Sequence, residues 1–155
     1  MKRRLLTVIP FLLGVFLCGY PLISSILERQ HQQSAVATYE KTVETEDTEK
    51  VEQALKNAKR YNELLWQANG AIVGDYSETA LSDEIYQKML NLRNDEKGIM
   101  GTLRIPKISV SLPIYHGTSD EVLENGVGHL QGSSLPIGGE NTRSVLTGHR
   151  GLPNS

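Results

Sequence analysis

Cysteine is almost absent from this 155-residue sequence, which contains only Cys18. One cysteine cannot form a disulfide within a single chain, so a disulfide-bonded fold is excluded. Cys18 also lies inside an uncharged N-terminal stretch. The rest of the chain therefore contains no thiol that could serve as a nucleophile or as a metal ligand.

A surplus of basic residues is also missing. The formal net charge is −2, from 16 Lys and Arg against 18 Asp and Glu. Residues 1–27 carry three basic and no acidic side chains, residues 28–98 carry nine and fourteen, and residues 99–155 carry four and four. This distribution provides no basic surface for nucleic acid. The acidic middle of the chain indicates a solvated face.

Charged residues are missing from residues 5–27, LLTVIPFLLGVFLCGYPLISSIL, a run of 23 positions. A helix of about 20 apolar residues can cross a bilayer. Lys2, Arg3 and Arg4 precede the run, and such a basic cluster favours a cytoplasmic N-terminus. We therefore predict that residues 1–27 form a cytoplasmic basic end and a transmembrane signal anchor. The protein would be a single-pass protein of the cell membrane, with the remaining chain extracytoplasmic.

Two other interpretations of the same residues stay open. A cleaved signal peptide needs small residues at its cleavage site, and the sequence CGYP at residues 18–21 offers no good site. A lipid-modified Cys18 is the second alternative, although the bulky Leu17 stands where a small residue is expected. The uncleaved anchor is the interpretation that we favour.

Residues 28–98 are predicted to form a helical extension. Thr48 is expected to cap a first helix that Asn69-Gly70 ends, and Ser82 to cap a second helix over residues 82–92, SDEIYQKMLNL. A loop over residues 71–80 separates the two helices. The polar segment RNDEKG at residues 93–98 is the best internal boundary.

The first of these helices carries an apolar stripe at three-to-four spacing. Its members are Val51, Ala54, Leu55, Ala58, Tyr61, Leu64 and Leu65. A helix of another chain could pair with such a stripe. Because the stripe covers only two to three heptads, packing within its own domain is the favoured interpretation.

Residues 99–155 change from a helical period towards a period of two, which indicates strands. Thr118 and Glu121 form a predicted capping box that opens one short helix. Strands are predicted over residues 101–105, 110–114, 127–130 and 143–147. Four strands cannot close a barrel and would leave backbone edges unpaired. We therefore expect a sequence that stops part-way through a β domain.

Histidines are the remaining candidates for chemistry, at His31, His116, His129 and His149. No two of them are three or four residues apart, so the spacing supports no metal site. His31 lies in a polar stretch and is expected to be solvated. His116 and His129 are expected to be structural and to bond nearby backbone groups.

His149 has a different setting, in the sequence LTGHRG at residues 146–151. Gly148 and Gly151 permit close backbone approach, and the neighbouring Arg150 disfavours the imidazolium form. Loops at strand ends commonly carry function. His149 is therefore our candidate catalytic residue, against the simpler interpretation of a surface turn.

Four motifs in order carry a resemblance to a known family: GTLRIPKI (101–108), LPIYHG (112–117), GVGHL (126–130) and LTGHRG (146–151). Together they resemble the first half of a sortase domain, most closely of the pilus-assembling class C sortases. The resemblance implies a mainly β chain: an incomplete sortase-type β-barrel, with its first strands only, preceded by a transmembrane helix and an α-helical N-terminal extension. Residues 99–155 would be the N-terminal half of that barrel.

The resemblance also implies an activity. Sortases are membrane-anchored cysteine transpeptidases of Gram-positive bacteria that cleave LPXTG-like sorting signals and need no cofactor. Class C members join pilin subunits through a lysine amine, so the implied partners are pilins or surface proteins with LPXTG-like signals. His149 matches the family's catalytic histidine. The nucleophilic cysteine and the catalytic arginine would follow in parts of the domain that these 155 residues do not include, and Arg150 is not that arginine.

Class C sortases carry a lid with an Asp-Pro-aromatic motif over the active site. The corresponding residues here read GDYS at 74–77, so Asp75 and Tyr76 are the candidate lid residues and the proline is absent. A plain surface turn with an exposed tyrosine is the alternative interpretation.

The leading hypothesis is thus the N-terminal part of a class C sortase that is inactive by itself because it lacks the nucleophile. The alternative is a membrane-tethered, non-catalytic interaction module or sortase remnant that uses the apolar stripe on the first helix. A lipoprotein anchored through Cys18 is a third hypothesis.

Overall fold

The computed structural model describes residues 2–68, 82–93 and 98–149. A 3₁₀ turn over Pro106–Ile108 connects the first two strands. The helices and strands, in chain order, are α1 (Lys2–Thr45), α2 (Thr48–Gln67), α3 (Asp83–Lys88), β1 (Ile99–Ile105), β2 (Val110–His116), α4 (Asp120–Asn125), β3 (Val127–His129) and β4 (Leu146–Thr147).

The described residues fall into two compact units, residues 2–31 of α1 and residues 32–149. In the first unit, α1 exposes apolar side chains such as Leu12, Phe16 and Leu17. The structure does not support the predicted membrane-spanning helix: within residues 2–68, 82–93 and 98–149, no helix is long and apolar enough to cross a bilayer.

The second unit contains one four-stranded sheet in the order β1-β2-β3-β4. β1 and β2 are antiparallel, and their pairing runs from Ile99–Tyr115 to Ile105–Val110 at the turn. β2 and β3 are parallel, with α4 as the connection between them. β3 and β4 are antiparallel, with His129 opposite Leu146. The four short strands predicted from the period-two segments are therefore confirmed.

The described part of the chain is not mainly β, and that part of the prediction is wrong. More than half of the described residues are helical, since α1 alone spans 44 residues whereas β3 and β4 span only three and two. The polar stretch after residue 27 continues α1 as far as Thr45. Its last turns are held on the sheet, because the Tyr39 hydroxyl donates to the carbonyl of Met100 at 3.1 Å.

Two helix starts lie one residue away from their predicted caps. Asp47, not Thr48, caps α2, and its carboxylate accepts a hydrogen bond from the backbone N–H of Glu49 at 3.1 Å. A carboxylate at this position also interacts favourably with the helix dipole. Ser119, not Thr118, caps α4, and its hydroxyl accepts from the N–H of Val122.

Helix α3 ends at Lys88, four residues before its predicted end. Met89 is extended and Leu90 has a φ of 59°, which stops the helix. The reason lies in a tertiary contact, because the Met89 carbonyl turns towards the ring of His116 and lies 2.8 Å from its Nε2.

The core is formed where α2, α3 and the sheet meet. Its buried residues are Ala58, Tyr61, Leu65, Tyr86, Leu90, Met100, Ile114, Val127 and Leu135. Three of these belong to the predicted stripe on α2, so packing of the stripe within its own domain is confirmed. The buried face is rotated slightly from the prediction: Asn62 is buried, whereas Leu55 is 42% exposed.

Candidate active site

His149 lies two residues beyond β4, and its side chain is exposed. Leu146 packs partly into the core and so anchors this strand. A Cβ added at Gly148 would lie 3.8 Å from Val127, so the backbone runs close to β3 at this point. The imidazole is therefore accessible at the end of an anchored strand. A proton-transfer group that meets a large substrate needs such a location.

The segment leading to His149 is held by hydrogen bonds from the turn after β3. The N–H of Leu130 donates to the carbonyl of Val145, and the N–H of Ser134 donates to the carbonyl of Arg143, both at 2.9 Å. In return, the N–H of Val145 donates to the Ser133 hydroxyl and the N–H of Arg143 donates to the Ser134 hydroxyl, both at 3.0 Å. The two serine hydroxyls thus accept backbone N–H groups that a neighbouring strand would otherwise bond.

His129 is the last residue of β3, directly before this turn, and is fully buried. Its Nε2 is 2.9 Å from the carbonyl oxygen of Ser134 and 3.2 Å from the hydroxyl of Ser133. A carbonyl oxygen only accepts hydrogen bonds, so Nε2 carries a proton. The Ser133 hydroxyl donates its own proton to the carbonyl of Leu130 at 2.7 Å and therefore also accepts from Nε2.

Tyr86 of α3 approaches the other nitrogen of the same ring. Its hydroxyl lies 3.0 Å from Nδ1 of His129 and 2.8 Å from the His129 carbonyl oxygen, and it accepts a hydrogen bond from the N–H of Gly117 at 2.9 Å. Burial raises the pKa of Tyr86 and lowers the pKa of His129. Both rings are therefore neutral at pH 7, and the single tyrosine proton lies between two acceptors of His129, its carbonyl oxygen and Nδ1.

His116 connects the helical extension to the sheet. Its Nδ1 is 2.9 Å from the carbonyl of Gly98 and its Nε2 is 2.8 Å from the carbonyl of Met89. Two carbonyl acceptors favour the doubly protonated ring, but desolvation is the larger effect and burial lowers the pKa of His116. His116 and His129 both bond backbone groups, which confirms that these two histidines are structural.

The other predicted site residues are not brought to His149 by the described structure. Asp75 and Tyr76, the candidate lid residues, and Arg150 lie outside the described residues. Cys18 is exposed on α1, in the unit formed by residues 2–31. Among the residues that the structure describes, no three His, Cys, Asp or Glu side chains are grouped as metal ligands would be.

Sequence reasoning missed the residues that organise this region. Tyr86 lies in the predicted helix SDEIYQKMLNL, and nothing in that pattern marks its hydroxyl as the partner of a distant group. Ser133 and Ser134 belong to a turn-rich segment in which serine is common. No local signal distinguishes a serine that accepts from a distant backbone N–H, because the partner is defined only by the fold.

Comparison with known proteins agrees with this fold. Residues 103–155 match the sequence model of the sortase domain. The chain also superposes on crystal structures of class C sortases: sortase C1 from Streptococcus agalactiae matches with a TM-score of 0.67 and 40% identity over 79% of this chain. Residues 103–155 thus match the sortase domain, and the structural neighbours of the chain include class C sortases.

Two further relatives define the extent of the match. Sortase D of Bacillus subtilis (strain 168) is 37% identical over 101 residues, which are 65% of this chain and 46% of that protein. Clostridium perfringens sortase C, in a structure with the C-terminal cell wall sorting motif, matches at 36% identity and a TM-score of 0.58 over 79% of this chain. The chain spans about half the length of sortase D, 60% of the S. agalactiae structure and 58% of the C. perfringens structure.

Proposed function

We propose that these residues are the N-terminal part of a class C sortase, a cysteine transpeptidase that cleaves LPXTG-like sorting signals and joins pilin subunits through a lysine amine. The observation that carries this proposal is the sortase match over residues 103–155, which includes His149 at the accessible end of β4. The class C assignment is supported by the structural neighbours, which share 40% and 37% of aligned residues in two cases.

In the proposed reaction, a cysteine thiolate attacks the carbonyl carbon of the threonine in the sorting signal. The peptide bond to the following glycine breaks, His149 donates a proton to the leaving amine, and the threonine remains as a thioester. A lysine amine of another pilin then attacks the thioester, His149 accepts its proton, and the cysteine is released. An arginine side chain would donate hydrogen bonds to the oxyanion in both steps.

The nucleophile is proposed to come from outside these 155 residues. Cys18 is the only cysteine in the sequence, and it lies on α1 in a different compact unit from His149. In the family the arginine follows the cysteine, so neither residue is assigned to a position here. The 155-residue polypeptide by itself is therefore proposed to be inactive as a transpeptidase.

Location at the cell membrane is part of the same proposal. It is supported by the uncharged residues 5–27 behind three basic residues. It is also supported by the apolar side chains that α1 exposes, among which Val15, Ile23 and Leu27 are each more than half exposed. The substrates would be pilins or surface proteins with LPXTG-like signals. The C. perfringens neighbour has been crystallised with its cell wall sorting motif, which supports this substrate class.

The interaction-module alternative draws less support. Ala58, Tyr61 and Leu65, the centre of the apolar stripe, are at most 4% exposed in the core of their own unit. A partner helix would have to displace that packing. If this alternative were correct, a polypeptide lacking residues 99–155 would self-associate or bind its partner through the stripe, and sedimentation analysis would detect it.

The experiment that tests the proposed function uses the polypeptide encoded by the source gene, including any codons that follow Ser155. Cleavage of a fluorescent LPXTG-type peptide is measured for the unaltered enzyme and for His149→Ala. Loss of a general acid–base is expected to lower the cleavage rate by roughly 10²–10⁴-fold. His31→Ala is the matched control, because His31 is exposed on α1, and full activity is expected. Equal activity of His149→Ala and His31→Ala would contradict the proposal.

A further inference from the structure

We propose that Tyr86 and His129 are positioning residues that fix the end of β4 and thereby the location of His149. This inference rests on the proposed function, since it concerns the residue expected to transfer protons. Neither residue is on the surface. Both act on His149 through a chain of hydrogen bonds that passes through Ser133 and Ser134.

The first step runs from His129 to the two serines. Because Nε2–H of His129 donates towards both the Ser134 carbonyl and the Ser133 hydroxyl, it holds the turn over residues 130–134 in a single arrangement. In that arrangement both serine hydroxyls face residues 143–145 and accept their N–H groups. Rotation or loss of the His129 ring would leave a buried carbonyl without its donor, which is costly.

The second step runs from Tyr86 to His129. A neutral imidazole carries its single proton on either nitrogen, and the tautomer with the proton on Nε2 leaves Nδ1 as an acceptor that needs a donor. The Tyr86 hydroxyl is that donor: its one proton lies between Nδ1 at 3.0 Å and the His129 carbonyl oxygen at 2.8 Å, and its oxygen accepts from the N–H of Gly117. Tyr86 is fully buried, so water cannot take over this role.

The third step runs from the turn to His149. β4 has only two residues, and its pairing with β3 is correspondingly short. The four hydrogen bonds between residues 130–134 and residues 143–145 extend that pairing towards the N-terminal side of β4. A helix of the N-terminal extension thus controls the strand that presents the candidate catalytic histidine.

The test compares Tyr86→Phe with Tyr39→Phe in the full 155-residue chain, by NMR of labelled protein. Each substitution removes one hydroxyl, and the Tyr39 hydroxyl bonds the Met100 carbonyl without contacting this network. In Tyr86→Phe, the ¹⁵N shifts of His129 are expected to show a mixture of tautomers. Amide exchange at Arg143 and Val145 is expected to accelerate about tenfold, the equivalent of one net hydrogen bond, and the ring resonances of His149 are expected to move. Tyr39→Phe is expected to leave all three unchanged.

Two further variants keep the test decisive if Tyr86→Phe does not fold. The amide of His129→Gln can still donate to the Ser134 carbonyl, so slow exchange at Arg143 and Val145 is expected to be retained there and lost in His129→Ala. Equal exchange in these two variants, or His149 resonances that respond identically to Tyr86→Phe and Tyr39→Phe, would overturn the inference. These measurements need no activity, so they can fail while His149→Ala still abolishes peptide cleavage, and the two proposals are separable.

Discussion

Replacement of Asn62 by alanine tests whether α2 is held on the sheet domain by one polar side chain. Asn62 is 5% exposed, and its side-chain amide pairs with the backbone of Leu135 in both directions. Its Nδ2 donates to the Leu135 carbonyl at 3.2 Å, and its Oδ1 accepts from the Leu135 N–H at 2.7 Å. The two residues are 73 positions apart, so this pair closes the contact between the helical extension and the turn after β3.

The expected magnitude follows from what the substitution leaves behind. Leu135 is fully buried, so its N–H and C=O would lose their partner without gaining water. Each buried polar group left unsatisfied costs about 1–3 kcal/mol, and the small cavity adds to this. We therefore expect Asn62→Ala to lower the free energy of unfolding by roughly 2–4 kcal/mol, allowing for partial rearrangement of the turn.

Trp66 provides the assay, because it is the only tryptophan and lies one helical turn beyond Asn62. It lines a groove of about 260 Å³ together with residues of the turn, including Ile137 and Thr142. Urea unfolding monitored by Trp66 fluorescence therefore reports the docking directly. The matched control is Asn57→Ala, whose side chain is exposed and bonds only the Gln53 amide on the same helix; a cost under about 0.5 kcal/mol is expected there. Equal midpoints for the two variants would refute the reasoning.

Two other predictions concern packing and pH. Gly128→Ala would place a Cβ 2.4 Å from the carbonyl oxygen of Gly117. We therefore expect the free energy of unfolding to fall by about 2 kcal/mol and the Tm to fall by roughly 10 °C. Gly101→Ala, whose nearest contact would be at 3.7 Å, should change the Tm little in the same thermal scan. Burial lowers the pKa of His129 below its ordinary value of 6.5. The unfolded chain therefore takes up a proton that the buried ring does not, and the free energy of unfolding should fall as the pH is lowered through about 6.5. Denaturation midpoints between pH 5 and pH 7.5 should show a shallower slope for His129→Gln than for the control His31→Gln; parallel slopes would contradict the assignment.

The parts of the fold that could be predicted from the sequence are those fixed by local patterns. The four strands lie in segments with a period near two, and turn residues bound both these strands and α4. The stripe on α2 has a plain helical period. The end of α3 could not be predicted, because Lys88 is followed by residues that suit a helix. The helix ends where the Met89 carbonyl bonds His116, which lies 27 positions further along the chain.

In the candidate site, too, some residues could be predicted from local sequence patterns and others could not. His149 could be named as a candidate because glycines flank it at a strand end and because its motif resembles that of a family. The residues that position it could not, since the roles of Tyr86 and Ser133 depend on partners 43 and 12 positions away. A side chain that bonds a distant backbone group has no periodicity or spacing of its own. The lid residues Asp75 and Tyr76 stay a prediction, since they lie outside the described residues.

The central claim, that His149 belongs to a sortase active site, is tested most directly by the DNA sequence of the source genome through and beyond codon 155. The account predicts a reading frame, continuous or interrupted by a frameshift, that encodes a TLxTC-type strand end and a later arginine. Those residues would supply the nucleophile and the oxyanion donor for His149. A genuine stop codon after Ser155, with no such motif nearby, would contradict transpeptidase activity for this product.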